Sequence, residues 1–534
     1  MPISRSVAVV VGAGALVAAL SAACVGRVAH FEWVVVGAQI AVLLPALLYG
    51  LKGGAGEQSS ERLPIPNARM MSAAFLACAA LGSFWLNQGT IIPDETSYWF
   101  EARVLASGRL MADAPPGATD DPRTTPRPLF YNHHVLTTRG WFSKYPLGWP
   151  AVLAVGERLR APWLMNPLLA LLLLMVTRAI ARRLFDERTA DVAAWMAALS
   201  PLFLANGIGL MSHATCGVLV VSACRFCFEG VRTLRTRPFV WMVLALAATF
   251  HVRPYSGFIA ACVLGCGTLV ALRRKPGVLL RFAGLSVLFA AAAAGSMLLY
   301  NHAMTGDYRL SPYALYRGLS VPVEVSGDWS TVLRNISRNM RFSAQSTAVY
   351  TFPFVFLLAA YGFWRARKSG PEVWILAALF PAFVVAHLVQ PHGSGSFIGE
   401  RYWFEAFFAV AILGARGAVL LMQVRMPDRR AAVAAVAVLT GLQIVLSVTA
   451  VRAMDERSRP YREVRAAAER YGETKCVVFL HRSEGLEPTH LNLNRPDWRA
   501  GAAFYLVDPG DDAHRADWAR RMGRARWAVV SSNP

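Results

Sequence analysis

The segment Pro162–Arg182 has the sequence PWLMNPLLALLLLMVTRAIAR. Its apolar run is about 20 residues long, the length that an α-helix needs to cross about 30 Å of hydrocarbon. The run ends at a basic edge, where Arg178, Arg182 and Arg183 stand close together. Arginine beside an apolar run is typical of the cytoplasmic side of a membrane protein. The stretch therefore predicts a transmembrane helix and its orientation.

The composition of the whole chain supports the same interpretation. Of 534 residues, 55% are hydrophobic and 16% are charged, and the mean hydropathy is +0.39, which is too apolar for an ordinary soluble protein. The formal net charge of +21 comes from basic residues in short loops beside the apolar runs, where they set topology and meet lipid headgroups. We therefore expect membrane lipids, and no nucleic acid, as partners.

Comparable apolar runs predict an all-α polytopic membrane protein of about thirteen transmembrane helices. The runs lie near residues 7–29, 34–51, 69–88, 162–182, 189–207, 210–228, 238–251, 255–272, 280–300, 346–365, 372–390, 402–424 and 431–452.

Alternate loops between these runs carry an excess of Arg and Lys, which assigns those loops to the cytoplasm. This pattern predicts a bacterial inner-membrane protein with a cytoplasmic N-terminus and an extracytoplasmic C-terminus. The membrane domain covers residues 1–452, and it leaves two larger loops outside, 89–161 and 301–345. Residues 453–534 form a further region outside. The function should be sought in these outer segments.

Two of the outer segments have internal structure in the sequence. Within the first loop, Gly148–Leu159 is apolar but too short to span, which predicts a helix along the membrane interface. The C-terminal region contains the strand-like stretches CVVFL from Cys476, AFYLVD up to Asp508 and RWAVVSS up to Ser532, with a helical pattern over residues 517–522. These patterns predict a small extracytoplasmic α/β cap.

Two adjacent carboxylates, Asp94 and Glu95, follow the third predicted span at its outer boundary. Ionisable groups at that depth are costly unless they are used. A carboxylate there could accept the proton of an attacking hydroxyl or amine, or bind a divalent cation beside a phosphate leaving group. Asp94 is the first candidate for a catalytic base and Glu95 the second. The alternative is that both residues stabilise the first turn of a helix beginning at Pro93.

Basic residues near the same boundary are candidates for binding a donor phosphate. Lys144 lies among aromatic residues in WFSKYPLGWP, residues 141–150, which suits a lipid phosphate but also suits a lysine that only anchors the chain at the interface. Arg253 and Arg401 stand at outer ends of spans, and a guanidinium group can bind two phosphate oxygens at once. For Arg401, a structural ion pair is the alternative.

Several accessory residues complete the candidate site. His213, at the outer end of a span, could assist proton transfer or bind metal, although an isolated histidine at a helix end is more often structural. The aromatic candidates adjoining the charged residues are Tyr98, Tyr145 and Tyr402. His133 and His134 are adjacent, and adjacent side chains rarely point at one metal, so no zinc site is predicted from them. The sequence leaves the metal ligands unknown.

The order of these motifs resembles a known group of proteins. The motifs are PDETSYW from Pro93, FSKYPLGWP, APWLMNPLL, MSHA, HVRPYSG, YNHAMTGDYRLSPYALY and GERYWFEAF. Over about Gly89–Arg416 the chain resembles the membrane-embedded GT-C glycosyltransferases of the protein O-mannosyltransferase and lipid A aminoarabinose transferase type. The two spans predicted before the helix that leads into the acidic loop, and the C-terminal cap, depart from that pattern.

This resemblance implies a many-span fold with a catalytic outer loop, a polyprenyl-phosphate-linked sugar donor and an extracytoplasmic acceptor. It makes Asp94 the acid of the loop, and Lys144 and Arg253 the contacts of the carrier phosphate. The acceptor cannot be transferred, because the cap matches no particular relative.

Three functions are therefore compared. The first is inverting transfer of a sugar from a polyprenyl-phosphate donor to a glycan, lipid or protein, with Asp94 as base. The second is a transporter or flippase of a lipid-linked saccharide, which needs basic groups but no base. The third is a polymerase or ligase of surface polysaccharide, against which the early position of the large outer loop argues.

Overall fold

The structure is a computed structural model, and it describes residues 68–87, 91–318, 329–352, 354–390, 395–396, 399–423, 429–499 and 503–531. The predicted spans near residues 7–29 and 34–51 lie outside these ranges.

Helices make up most of the described chain. In order they are α1 (Ala68–Leu86), α2 (Pro93–Ala106), α3 (Gly148–Arg158), α4 (Met165–Leu184), α5 (Glu187–Ala198), α6 (Pro201–Ile208), α7 (His213–Thr233), α8 (Thr236–Val252), α9 (Pro254–Leu272), α10 (Pro276–Thr305), α11 (Pro312–Arg317), α12 (Trp329–Tyr350), α13 (Val355–Ala366), α14 (Pro371–Leu388), α15 (Phe407–Met422), α16 (Arg429–Glu469) and α17 (Asp512–Arg521).

The chain is a helical membrane protein. Within the described ranges, 7 helices are long and apolar enough to cross a membrane, namely α1, α4, α7, α9, α10, α14 and α15, with α4 counted from Pro162 and α15 from Phe404. The consecutive helices α5 and α6 are bent by 66° at their junction and would make 8 spans if they were counted as one. A total of about thirteen spans stays a prediction.

Two predicted runs do not coincide with helices of the structure. The run near 346–365 is not one helix, because α12 ends at Tyr350 and α13 begins at Val355, after Phe354 in the left-handed conformation (φ 55°). The predicted loop 301–345 therefore contains most of a 22-residue helix, α12. The last run was predicted to end near 452, but α16 continues for 41 residues to Glu469. Apolar periodicity marks the part of a helix in lipid, and it cannot show where the helix itself ends.

The segment 91–161, most of the predicted first outer loop, contains a tight β-hairpin. Strand β1 (His134–Thr137) pairs antiparallel with β2 (Gly140–Ser143), and the register sets His134 opposite Ser143. The residues just beyond the open end, His133 and Lys144, are therefore neighbours, and the Lys144 backbone N–H donates to the His133 carbonyl at 3.1 Å. The predicted interfacial helix is present as α3, with Trp149 and Leu153 buried. A second two-stranded pair joins β3 (Gly395–Ser396) and β4 (Gly399–Glu400).

The C-terminal region forms a small parallel sheet in the order β6 (Ala503–Val507), β5 (Cys476–Leu480), β7 (Arg526–Val530). These strands lie where the sequence predicts them, and the helix, α17, begins five residues earlier than expected, at Asp512. Successive side chains of a strand point to opposite faces. Val477 and Phe479 accordingly pack on Trp141 and other residues of the first outer loop, while Val478 packs towards Val464 of α16.

Candidate active site

The start of α2 positions the two carboxylates of the acidic motif. Pro93 occupies the first helical turn, where its missing N–H costs nothing. Glu95 folds back on this turn: its Oε2 accepts the backbone N–H groups of Ile91 at 2.9 Å and Ile92 at 3.2 Å, and its Oε1 accepts that of Leu210 at 2.9 Å. Burial raises the pKa of Glu95 to about 7, although these hydrogen bonds lower it. Oε2 thus caps the start of α2, which is the contact that the helix-start alternative describes, while Oε1 binds the backbone just before α7.

Asp94 points away from the helix start into a basic and aromatic site. Its Oδ1 accepts a hydrogen bond from the Tyr145 hydroxyl, and His133 Nε2 lies 3.9 Å from the same oxygen. Arg401 Nη1 lies 3.7 Å from Oδ2. Burial raises the pKa of Asp94, but the charges of Arg401, His133 and Lys144 outweigh it and hold the pKa below its ordinary value. Asp94 is therefore an ionised carboxylate at neutral pH.

Lys144 is buried, with an exposed fraction of 5%. Its ammonium group lies over the rings of Tyr145, Tyr313 and Tyr316 at 5.0, 5.0 and 4.6 Å, and it donates to His133 Nδ1 at 2.6 Å. Burial lowers the pKa of Lys144 to about 8, although Asp94 raises it. A lysine that only anchors a loop at the interface keeps its charged end in water. Lys144 instead directs its charge into the site.

Arg253 and its carboxylate partner Glu405 lie at helix ends, Arg253 between α8 and α9 and Glu405 just before α15. Arg253 falls at the break between α8 and α9, because Pro254 cannot continue the first helix. Its Nε lies 3.0 Å from Glu405 Oε1. The same oxygen is 2.9 Å from Nδ1 of His213, at the start of α7. Glu405 thus holds Arg253 and His213 together, which gives His213 a structural partner on one ring nitrogen.

Tyr402 connects the two arginines. The guanidinium carbons of Arg253 and Arg401 lie over its ring at 5.4 and 5.3 Å. Arg401 pairs with Asp94 as described above, whereas Glu405 pairs with Arg253. The side chain of Glu400, the acid next to Arg401 in the sequence, is not among those that the structure describes.

Tyr98 and Tyr145 form the wall between α2 and the hairpin. Their rings stack with centroids 4.3 Å apart, and the Tyr98 hydroxyl lies 3.3 Å from Ser212 Oγ. Arg253 Nη1 donates to the same Ser212 oxygen at 3.3 Å. The three tyrosines predicted from the sequence therefore all adjoin the charged groups. Tyr145 contacts Asp94, Tyr402 contacts both arginines, and Tyr98 contacts Ser212, which binds Arg253.

Sequence reasoning missed three contributors to this site. The sequence suggests only a metal-ligand role for His133, and argues against it, yet the residue stands between Lys144 and Asp94. Tyr313 and Tyr316 come from α11 of the second outer loop, and they contact Lys144 only after folding. Their motif, SPYALY, was part of the resemblance, which was the one available signal.

A divalent cation does not fit the arrangement around Asp94. Among the described residues, no three His, Cys, Asp or Glu side chains are arranged to hold a metal ion. A cation at Asp94 would meet the positive charges of Arg401 and Lys144, and the neighbouring Glu95 is bound to backbone. Such a set of ligands suits an anion such as phosphate.

Two apolar cavities in the membrane region approach the site. One, of about 550 Å³, lies between α8, α9 and α10, and Phe250, Gly257 and Phe258 line its end near Arg253. The other, of about 490 Å³, lies between α13, α14 and α15. Phe380 lines it and contacts Trp403, the neighbour of Tyr402, with ring centroids 5.0 Å apart. Both cavities are suited to an aliphatic chain.

Comparison with known proteins identifies the fold. No family model matches the sequence, and no curated protein matches it. Solved structures do match, and they show that the chain has the fold of the GT-C glycosyltransferases, as the resemblance predicted. ArnT from Cupriavidus metallidurans, solved with undecaprenyl phosphate bound, aligns with a TM-score of 0.51 and 12% identity over 86% of this chain and 89% of ArnT.

Two more distant glycosyltransferases also align. The Archaeoglobus fulgidus oligosaccharyltransferase in complex with Zn and sulfate gives a TM-score of 0.48 and 13% identity over 72% of this chain and 53% of that one. The present chain thus spans about half the length of the archaeal enzyme. Arabinosyltransferase EmbB from Mycobacterium smegmatis gives 0.36 and 14% over 83% and 45%.

Proposed function

We propose that the protein is an inverting glycosyltransferase that moves a sugar from a polyprenyl-phosphate donor to an acceptor on the outer face of the membrane. The observation that carries the proposal is the pairing of an ionised, nearly buried carboxylate, Asp94, with the cationic groups of Lys144 and Arg401. A base and an anion-binding set within a few ångströms are what such a transfer needs. The fold, shared with ArnT solved with undecaprenyl phosphate, supports the choice of donor.

In this reaction, the acceptor hydroxyl or amine attacks the anomeric carbon while its proton passes to Asp94. The bond between that carbon and the phosphate oxygen breaks, and the negative charge that develops on the phosphate is stabilised by Lys144, Arg253 and Arg401. Tyr145 orients Asp94 through its hydroxyl group. Glu405 orients Arg253. Glu95 fixes the start of α2, and so acts as a positioning residue.

The polyprenyl tail needs an apolar path that begins beside the phosphate. The cavity between α8, α9 and α10 meets this need, because Gly257 and Phe250 lie within about one helical turn of Arg253.

The test is transfer of labelled sugar from membrane polyprenyl-phosphate donors by purified protein in lipid nanodiscs, followed by mass analysis of the product. We expect wild type to transfer and Asp94→Asn to lose about 10²- to 10⁴-fold in kcat. The matched control is Asp113→Asn, an exposed carboxylate of the same loop that pairs only locally with Arg109 in the described structure, and it should keep full activity.

If the protein is instead a flippase, it should move a lipid-linked saccharide without transferring sugar, and Asp94 should not be needed. If wild type transfers no sugar from a broad donor set, but moves a fluorescent lipid-linked saccharide across proteoliposomes at a rate that Asp94→Asn preserves, the transferase proposal is wrong.

A further inference from the structure

His133 bridges the two groups that the proposed reaction uses at its two ends. Its Nδ1 lies 2.6 Å from Lys144 Nζ, on the phosphate side. Its Nε2 lies 3.9 Å from Asp94 Oδ1, on the acceptor side. An approach of about 1 Å, or a bridging water, brings the second pair into hydrogen-bond range. The imidazole ring therefore forms the middle of a row of three titratable side chains.

The backbone holds His133 in an unusual conformation that makes this bridge. Its φ is +66°, in the left-handed region that few residues other than Gly adopt and in which Asn, Asp and His are the most frequent of them. Ser97 Oγ donates to its carbonyl at 2.6 Å, and its N–H donates to the Tyr316 hydroxyl at 3.3 Å. Ser97 Oγ also contacts Ser143 Oγ at 2.7 Å. These hydrogen bonds fix the backbone of His133 where its ring can lie between Lys144 and Asp94.

The ring is in a state suited to passing a proton. Burial lowers the pKa of His133 to about 4, although the charge of Asp94 raises it, while Lys144 lowers it further. The imidazole is therefore neutral at pH 7, with one nitrogen able to accept a proton and the other able to donate one. An imidazolium ring can donate at both nitrogens, but it has no free nitrogen to accept the proton of Asp94.

We propose that His133 relays the acceptor's proton from Asp94 to Lys144, and that Lys144 delivers it to the departing phosphate. The inference rests on the proposed glycosyl transfer. The acceptor O–H or N–H bond breaks and Asp94 takes the proton. At rest the ring carries its proton on Nε2, because Nδ1 accepts from the Lys144 ammonium group; once Lys144 is neutral, exchange with water shifts that proton to Nδ1. The proton of Asp94 then enters at Nε2 while the proton on Nδ1 leaves for the Lys144 amine, which restores the resting ring. Before this relay, Lys144 gives its own proton to the phosphate oxygen as the bond to the anomeric carbon breaks. The relay then returns a proton to Lys144.

The cycle balances without another reactant. One proton leaves the acceptor and one arrives on the polyprenyl phosphate, while Asp94, His133 and Lys144 end as they began. His133 touches neither substrate in this scheme, so it is a positioning and relay residue. The hairpin places His133 in this position, because its register sets His133 and Lys144 side by side just beyond its open end.

The experiment replaces His133 by residues that tolerate its backbone conformation. His133→Asn and His133→Gly both accept φ near +66°, so the hairpin should stay folded. We expect kcat to fall about 10- to 100-fold in both variants, with the KM for the polyprenyl-phosphate donor changed less than about threefold. Added imidazole should restore much of the kcat of His133→Gly. His514→Gly, at an exposed histidine of α17, should show neither loss nor rescue.

The outcomes separate the relay from the proposed function. If wild type transfers sugar, Asp94→Asn does not and His133→Asn keeps at least half of the wild-type kcat, the relay is wrong and the transferase stands. A loss in His133→Gly that imidazole leaves unchanged, together with an equal rise in the donor KM, also overturns the relay, because it reveals a structural role. Absence of transfer by wild type removes the proposed function itself.

Discussion

At the scale of the residue, Lys144 combines burial with a dense set of charged neighbours. His133, Asp94, Arg317 and Arg401 affect its charge, and tyrosine rings surround its ammonium group. A lysine with a pKa of about 8 is mostly ionised at pH 7, yet it releases its proton far more readily than an exposed lysine. That property suits a group that first binds a phosphate and then protonates it.

We expect the activity of the wild type to fall as pH rises through about 8, because Lys144 then loses the charge that binds the donor phosphate. In Lys144→Arg the guanidinium stays charged at every accessible pH. The variant should therefore lose the alkaline limb, although its plateau should be lower because arginine does not release a proton. The measurement is kcat/KM between pH 6 and 10, with exposed Lys475→Arg as control. An alkaline limb near pH 8 that persists in Lys144→Arg would assign it to another group.

Residues that are close in the sequence could be predicted as site candidates, and residues that meet only through folding could not. Asp94 and Lys144 each stand in a compact motif at a predicted membrane boundary. His133 lies eleven positions before Lys144, and only the pairing of His134 with Ser143 makes them neighbours. Glu95 shows the converse, since its motif fits both a base and a helix start, and its hydrogen bond from the backbone N–H of Leu210, 115 residues away, is a contact that the motif cannot show.

At the scale of the element, the apolar runs located the membrane helices but not their limits. The charged residues after Arg452 are good helix formers, so α16 extends beyond its apolar part. The run near 346–365 contains Pro353, which favours a break there. Conversely, the strands of the C-terminal sheet could be placed closely, because β-branched and aromatic residues cluster in short stretches such as CVVFL. Packing between helices was beyond prediction altogether.

The crossing of α13 and α15 depends on glycines. A Cβ at Gly417 would lie 2.0 Å from the Leu358 carbonyl oxygen, and one at Gly362 would lie 2.1 Å from that of Leu413. These helices therefore touch backbone to backbone, as small residues permit in membranes. Because α15 continues from the turn that carries Glu405, this crossing also supports the floor of the site.

Gly417→Ala should destabilise the protein by about 1–3 kcal/mol, since the methyl group forces the two helices apart. The measurement is thermal unfolding in nanodiscs, followed by tryptophan fluorescence. Gly284→Ala in α10 is the matched control, because a Cβ there meets nothing within 4 Å, and it should unfold at or slightly above the wild-type temperature. Equal melting temperatures for the two variants would contradict the close crossing.

At the scale of the whole molecule, the segments that the charge pattern assigns to one side meet at one end of the bundle. Thr96 of α2 donates to the carbonyl of His490 in the C-terminal region at 2.6 Å, and Tyr131 of the first loop donates to that of Tyr505 at 2.8 Å. Tyr316 of the second loop contacts Lys144. Basic loops lie elsewhere: Arg178, for example, pairs with Asp191 at the far end of α4. Three regions distant in sequence thus form one cover over Asp94.

This arrangement predicts opposite accessibility for two exposed positions. Glu484, in the C-terminal region, belongs to the cover, whereas Arg274 lies in the basic connection between α9 and α10, which the charge pattern assigns to the cytoplasm. In intact spheroplasts, a membrane-impermeant maleimide should label Glu484→Cys and leave Arg274→Cys unlabelled until the membrane is permeabilised. Wild type measures the background from its own cysteines. Labelling of Arg274→Cys in intact cells, with Glu484→Cys protected, would show that the predicted topology is inverted. Asp94 would then face the cytoplasm, where an acceptor outside the cell could not reach it.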